Sequence, residues 1–455
     1  MVSSRKLYFS GMLLILALAF IGELVWLPDP LRVGARWYWI DTADLLIYAL
    51  ACVPLLWLAG GLLRWRECRK NSYGPPPLSL TLTCAIVSLS CAAAILIVLI
   101  IPKQLTYSVG ILAISWLSVF ADLIVQERAL RRKPLHTLSV LAVTICLGLL
   151  LFYPTRYLVT YPGLTLNMQR YAHVSSGSES GDISGVLVFE RPAFPVDWVY
   201  AKLFPHYTFE PNNLGMSVGE YNQLVRTMKD DANASGSAVA FQKLGLGSGV
   251  TSHGVLVTAI ATDSPARDSL QLGDIIIGIN GAAVSNAQEL SEQMKPVKPE
   301  ESVRVKLRRG SAEMELVAST RGNPSDATKA IFGIQVANDL EYDIPKQIDY
   351  HSYLLHEGGP SHGAMLALTL IDQLTPGGVT NGNHVAGTGT MEPDGTVGPV
   401  GGLEQKAYTV SRTNADVFFV PAENEAEARK GASDLLIVPV HTLDDILSWL
   451  RAHPK

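Results

Sequence analysis

Two short runs place reactive residue types at a useful spacing. Gly359-Pro360-Ser361-His362-Gly363 presents a serine from a Gly-Pro turn, and Gly401-Gly402-Leu403-Glu404-Gln405-Lys406 sets a lysine just after a Gly-Gly turn. A serine hydroxyl is a weak nucleophile until a neighbour takes its proton. An amine can do so only when its pKa falls from about 10.4 towards neutrality. Burial has that effect because desolvation disfavours the ammonium form. Ser361 and Lys406 are therefore candidates for a nucleophile and its general base.

The elements that must position them are readable. Leu403 to Arg412 reads as a helix starting after Gly401-Gly402, which puts Lys406 near the positive end of a helix dipole, a second push towards the neutral amine. Ser361 to Leu374 is apolar almost all round and stops at Thr375-Pro376-Gly377-Gly378, the pattern of a buried central helix. Its first turn leaves backbone N–H groups as donors for an oxyanion. A lone Pro-Ser before a helix is ordinarily an N-cap. Here the lysine run, Ala386-Gly387-Thr388-Gly389-Thr390 and the turn Pro393-Asp394-Gly395 occur together, in an order that resembles the proteolytic domain of the Lon family. The resemblance, over Glu357 to about Asn424, implies Ser361 as nucleophile, Lys406 as base and Thr388 as a supporting hydroxyl. His362 stands where that family usually has a small Ala, and Gly358 where the ATP-dependent members have an acid. Glu357 is one position off, so neither Glu357 nor His362 takes a catalytic role.

Other readings fit less well. Gly359 to Gly363 also matches the Gly-x-Ser-x-Gly elbow of α/β-hydrolases, with Asp434 or Asp444 and His441 as partners, but too little chain follows for that fold's strands. His356-Glu357 with His362 has the wrong spacing for a zincin, and Gly-Gly-Pro would break the helix it needs. His351, His356 and His384 read as surface or loop histidines.

The 455-residue chain is 48% hydrophobic, with the apolarity concentrated at the N-terminus. Tyr8 to Val25, Leu46 to Leu63, Leu80 to Ile101, Tyr107 to Val125 and His136 to Phe152 read as five membrane spans, the fourth enclosing Asp122. Arg5 and Lys6, the run Arg64, Arg66, Arg69 and Lys70, and the run Arg128, Arg131, Arg132 and Lys133 mark cytoplasmic segments. An odd number of spans then puts everything after Tyr153 outside. The first span reads as an anchor more readily than a cleaved signal peptide, because its apolar run continues past Ala17-Leu18-Ala19 to Trp26. Cys52, Cys68, Cys84, Cys91 and Cys146 all fall in the membrane region, so the exported half carries no disulfide framework. A net charge of −5, with no basic stripe outside the cytoplasmic loops, gives no nucleic-acid footprint.

Beyond the spans, Val186 to Arg191 reads as a strand, Val196 to Leu203 as a short helix, and Ser217 to Leu244 as a longer helix capped by Ser217 with Glu220 three residues on. Gly254 to Ile260 is a strand, followed by Asp263-Ser264-Pro265-Ala266 and Leu272-Gly273-Asp274-Ile275 through Ile279-Asn280-Gly281, a sequence similar to the core of PDZ domains. Asn286 to Met294 is a helix, and Val303 to Arg308 with Glu313 to Ser319 a hairpin around Arg309-Gly310. Downstream, Asp416 to Val420 and Leu435 to Val440 alternate with helices Glu423 to Lys430 and Leu443 to Leu450, an α/β pattern. No Gly-x-x-x-x-Gly-Lys-Ser/Thr occurs.

Together these resemble bacterial membrane-anchored, PDZ-containing, Lon-like serine proteases, to which Gly215-Met216-Ser217 with Glu220-Tyr221 adds a matching segment. The expected fold is a multi-span α-helical membrane domain (1–153), an extracytoplasmic connecting segment (154–243), a PDZ domain built as a partly open β-barrel with helices (244–322), and an α/β Lon-type proteolytic domain (323–455). The function implied is an ATP-independent serine endopeptidase of the cell membrane, acting on envelope polypeptides bound through the PDZ groove, without a cofactor or metal. Its partners would be peptide or protein substrates and the lipid bilayer, with a homo-oligomer implied by the rings that Lon domains form. The alternative from another class is a non-catalytic PDZ receptor or scaffold carrying a relic protease domain.

Overall fold

The computed structural model describes residues 3–33, 37–71, 78–178, 180–212, 218–354 and 358–455. The expected cap Ser217, the run Gly215-Met216, and His356 and Glu357 lie outside the described residues. The chain packs as two compact units, Met1–Ala232 with Ile348–Thr390 and Val397–Lys455, and Asn233–Gln347 with Met391–Thr396.

In the first unit, α1 (Ser4–Glu23) is followed by a hairpin of β1 (Arg32–Val33) and β2 (Trp37–Tyr38), then α2 (Trp39–Ala49), α3 (Cys52–Asn71), α4 (Leu78–Ile100), α5 (Leu105–Ala129) and α6 (Leu135–Phe152). Among the described residues, five helices are long and apolar enough to cross a membrane, α2 and α3 counting as one stretch from Trp39 to Glu67. Small residues let them approach closely: a Cβ on Gly11 would strike the Trp57 indole at 2.3 Å, and one on Gly60 the Tyr8 ring at 2.7 Å. Asp122 is fully buried on α5 and accepts hydrogen bonds from Tyr8 Oη (3.0 Å), Thr83 Oγ1 (2.8 Å) and Gln126 Nε2 (3.0 Å). A carboxylate inside an apolar helix is tolerable when it faces partners in this way.

The same unit contains an α/β layer. β3 (Tyr157–Asn167), α7 (Met168–Tyr171), β4 (Ala172–Val174), β5 (Asp182–Pro192), α8 (Asp197–Leu203) and β6 (Thr208–Pro211) lead into α9 (Val218–Lys243), which continues into the second unit. The segment expected to be a connector thus supplies three strands to a six-stranded sheet. The other three come from the C-terminal part: β16 (His384–Gly387), β19 (Val417–Pro421) and β20 (Ile437–Val440), in the order β20-β19-β16-β5-β3-β6. β5, β16, β19 and β20 run parallel, while β3 is antiparallel to β5 and β6. Around this sheet lie α11 (Gly363–Leu374), α12 (Leu403–Ser411), α13 (Glu425–Gly431) and α14 (Leu443–Ala452), and β15 (Ile348–Tyr350) pairs with β4.

The helix bundle meets this layer at one set of ends. Glu23 pairs with Arg191, Asp29 accepts from Thr165 N (3.1 Å), Asp41 accepts from Arg170 Nη1 (2.6 Å), Asp44 accepts from Leu354 N (2.8 Å), and Lys103 donates to Ser352 (2.9 Å). The C-terminal end of α3, with Arg64, Arg66 and Arg69, and the turn from α5 to α6, with Arg131, Arg132 and Lys133, belong to the opposite ends.

The second unit is a curled sheet of β7 (Val250–Ile260), β8 (Ile275–Ile279), β9 (Ala282–Ala283), β10 (Ser302–Arg309), β11 (Ala312–Ser319) and β14 (Ile334–Tyr342), in the order β11-β10-β8-β7-β14 with β9 on β8. Helix α10 (Ala287–Met294) is capped by Asn286, whose Oδ1 accepts from Glu289 N at 2.8 Å. Before β14 come β12 (Arg321–Asn323) and its partner β13 (Asp326–Ile331). The strand β14 pairs with β7 from Ile334 to Tyr342, and with Phe332 just before it adds Ile334 and Val336 to the core around Val255, Val257, Ile276 and Val305. The repeat Ile334-x-Val336 is the period-2 pattern that suits one buried face.

Candidate active site

Every residue from Gly363 to Gln373 on α11 is buried, as a helix apolar on nearly every side requires. The helix starts two residues later than expected, because Gly359 takes a positive φ of 102° and Pro360-Ser361 complete a turn before it, with His362 at the N-cap. Ser361 is half-buried in that turn. Gly359 N donates to Val225 O on α9 (3.2 Å), and a Cβ on Gly358 would lie 2.6 Å from the same oxygen, so the turn is set closely against α9. At the other end of α11, Asp372 accepts from Gln169 Nε2 (2.8 Å), Gly181 N (2.9 Å) and Val379 N (2.7 Å), which pins the helix between two loops.

Opposite the turn, β16 ends at Gly387 and hands the chain to Thr388 and Gly389. The carbonyl of Ser361 accepts from Gly389 N at 2.8 Å and from Thr388 Oγ1 at 3.0 Å, and Ala364 N donates to Gly389 O at 3.1 Å. Close approach needs a bare glycine at Gly387, where a Cβ would sit 2.3 Å from Met365 Sδ on α11.

Lys406 enters from α12, whose N-cap Gly402 is in the left-handed region with φ 69° and whose first amide, Leu403 N, donates to Glu427 Oε1 at 2.9 Å. The helix packs on β3 and β5. Lys406 is 2% exposed, and its Nζ donates to Thr388 Oγ1 at 3.0 Å. Burial pushes its ammonium down to about 7, against an opposing pull from Glu427. The three expected site residues are thus joined in one chain: Lys406 amine, Thr388 hydroxyl, Ser361 carbonyl. Among the described residues no hydrogen bond joins Ser361 Oγ to Lys406 Nζ, a looseness common before substrate binds.

His362 points away from this chain. It is 4% exposed, its Nδ1 lies 3.2 Å from Gly359 O and its Nε2 3.5 Å from Tyr171 Oη, and its ring stands edge-on to Tyr171 at 5.3 Å. Burial, with Lys229 nearby, lowers its pKa to about 4, so the neutral ring must donate from Nδ1 to the carbonyl. It braces the turn that carries Ser361. The contributions of Tyr171, Val225 and Glu427 were not legible in the sequence; they come from α7, α9 and α13, and none lies in a motif.

The partners of the competing hydrolase reading are elsewhere. His441 is exposed after β20, with its amide on Asp445 (2.9 Å), and Asp434 and Asp444 are exposed as well. His351 is exposed against Tyr353, and His384 pairs at the surface with Asp182 (2.9 Å).

The first unit thus brings a buried lysine, a threonine and a serine turn together on a mixed α/β sheet, and the curled sheet forms a second unit of the same chain. Residues 344–451 match the Lon protease (S16) C-terminal proteolytic domain, and residues 235–320 match the PDZ domain. The chain thus carries a PDZ domain followed by a Lon-type proteolytic domain, behind five apolar helices. Similar proteins include the Lon proteases of Nitratidesulfovibrio vulgaris, 29% identical over 32% of this chain and 19% of that protein, and of Rickettsia bellii, 31% identical over 24% and 15%. The chain therefore spans less than a fifth of those relatives' length. Among solved structures, the PDZ domain of the SdrC-like protein from Listeria monocytogenes is 25% identical, over 19% of this chain and 90% of that one, with a TM-score of 0.18.

Proposed function

We propose that this chain is a membrane-anchored serine endopeptidase with Ser361 as nucleophile and Lys406 as general base. The observation that carries the reading is a lysine buried to 2% exposure, depressed to about 7, and linked through Thr388 to the Ser361 turn. Ser361 Oγ attacks the scissile carbonyl carbon while its proton passes to Lys406 Nζ. The resulting oxyanion is met by the amide of Ser361, which has no acceptor among the described residues, whereas Gly363 N and Ala364 N are committed to Pro360 O and Gly389 O. Collapse breaks the C–N bond, and the Lys406 ammonium returns its proton to the departing amine. A water then attacks the acyl carbon as Lys406 takes its proton, and collapse breaks the ester C–Oγ bond, with the Lys406 ammonium returning the proton to Ser361 Oγ and freeing the carboxylic acid product. Thr388 keeps Nζ aimed at the turn.

The chain carries no phosphate-binding loop motif in its 455 residues, which supports cleavage without ATP. The five apolar helices, and the basic residues at the end of α3 and in the turn from α5 to α6, away from the proteolytic layer, support a multi-pass protein with its N-terminus in the cytoplasm and both C-terminal domains outside. Strand β14 ends the order of the PDZ sheet and lies beside α10, where Asn338 Oδ1 accepts from Ala287 N at 2.7 Å. An extended segment of an envelope polypeptide would add there as a further strand.

A fluorophosphonate probe tests the dyad directly. The purified chain should be labelled at Ser361, and Ser361→Ala should take no label. Labelling that persists in Ser361→Ala would move the nucleophile elsewhere.

A further inference from the structure

The short helix α8 offers an apolar face to the outside while its other face is built into the ends of two membrane-length helices. Asp197 and Tyr200 point inward and are buried. Asp197 accepts from both Arg191 guanidinium nitrogens at 2.9 Å, Arg191 reaches Glu23 at the end of α1, and Tyr200 lies 6.2 Å from the Phe20 ring. Val196, just before α8, donates its amide to Leu150 O on α6 at 3.2 Å, and Phe194 meets Phe152 at 6.1 Å. Leu150 lies about 3 Å of helix rise inside the last residue of α6, and Phe20 about 4.5 Å inside the last residue of α1. These contacts set α8 level with the last turn of both helices.

On the other face, Trp198 is 38%, Val199 52% and Leu203 68% exposed, with Lys202 between them. Positions 198, 199, 202 and 203 share one side of a helix. Trp198 stacks on Phe209 of β6 at 4.6 Å and meets Tyr157 of β3 edge-on at 5.9 Å, while Tyr157 and Tyr153 are themselves exposed. Aromatic rings with a polar edge, aliphatic side chains and one lysine on a flexible stem suit the boundary between lipid headgroups and acyl chains.

We propose that α8 lies in the outer interface of the bilayer and that Trp198, Val199 and Leu203 insert among the lipids. The edge strand β6 of the proteolytic sheet then stands on the membrane surface through the Trp198–Phe209 stack, and the proteolytic layer is held by lipid as well as by its contacts with the helix bundle. This inference rests on the reading of α1 and α6 as membrane spans.

The test uses the full chain in phosphatidylcholine and phosphatidylglycerol vesicles, with p-benzoylphenylalanine placed singly at positions 20, 199, 203 and 436 and the photoproducts weighed by mass spectrometry. Leu436 is 52% exposed on the proteolytic layer and serves as the solvent control. Phospholipid adducts at 20, 199 and 203, with none at 436, are the expected result. Adducts at 20 but none at 199 and 203, or cross-links from those two positions to a second copy of the chain, would overturn the proposal and leave the spans intact. No lipid adduct at 20 would overturn the spanning reading and this inference with it.

Discussion

The role of general base proposed for Lys406 depends on its sitting where a lysine is costly. A fully buried ammonium is disfavoured, and the group's pKa falls to about 7. Two predictions follow from that number at the residue scale. Peptide cleavage by the intact enzyme should rise with pH through about 7 as Lys406 loses its proton. Lys406→Ala and Lys406→Arg should each lose about 10²–10⁴-fold in kcat, since a guanidinium cannot act as a base, while His441→Ala keeps nearly all activity. The reverse ranking of the two alanine variants in a fluorogenic peptide assay would sink the assignment. The second prediction concerns stability. The folded pKa lies below that of the unfolded lysine, so between about 7 and 10.4 the unfolded chain binds the extra proton and stability rises with pH. Lys406→Met removes the group, so its melting temperature in detergent should exceed the parent's most at pH 6 and by less as pH approaches 10. A gap that stays constant across that range would show that the buried amine does not titrate as stated.

At the scale of elements, the site is a junction between the start of α11 and the end of β16. The junction works because Gly387 lets the strand approach Met365 and because Thr388 and Gly389 both bond to the Ser361 carbonyl. Gly387→Ala would put a methyl 2.3 Å from the Met365 sulfur, so cleavage should fall by about tenfold or more. Met365 is a flexible side chain, and the double variant Gly387→Ala with Met365→Ala should recover part of the loss by opening that space. Kinetics of the two single variants and the double one would decide; a double variant worse than the sum of its parts would mean that the contact does not set the junction. His362 acts at this scale too, since its neutral ring fills the space between Tyr171 and the Gly359 carbonyl.

The whole molecule adds recognition and placement. Because β14 completes the PDZ sheet, a clean deletion must run from Val250 to Tyr342, and one that stops at Ser319 would strand β14 without its partner β7. Removing Val250 to Tyr342 should slow cleavage of envelope proteins far more than cleavage of a short unstructured peptide. Equal loss on both substrates, measured side by side, would assign the unit to folding alone. Orientation makes its own forecast: a reporter active only outside the cytoplasm should work when fused after Lys455 and fail when fused within Arg64 to Lys70 or Arg128 to Lys133. The opposite pattern would place the proteolytic domain in the cytoplasm.

The reach of the sequence had a physical limit that particular residues mark. Five apolar stretches, the PDZ signature and the α/β alternation after Asn414 were legible because hydrophobic period and turn chemistry are local properties. Ser361, Thr388 and Lys406 could be picked out as candidates because glycines flank each of them, some at positive φ (Gly359, Gly389, Gly402) and some where a Cβ would clash (Gly358, Gly387). What the sequence could not carry was pairing across long separations. That β3, β5 and β6 join β16, β19 and β20 in one sheet depends on which apolar faces find each other in space, and nothing in the run from Tyr157 to Pro211 encodes a partner some 200 residues away. The same holds for β14 against β7, and for His362, whose neighbours Tyr171 and Lys229 come from different elements. The sequence by itself determined which residues could do the chemistry. Only the tertiary structure decided that Lys406 is dry, because desolvation is a property of everything packed around a side chain and of no segment alone.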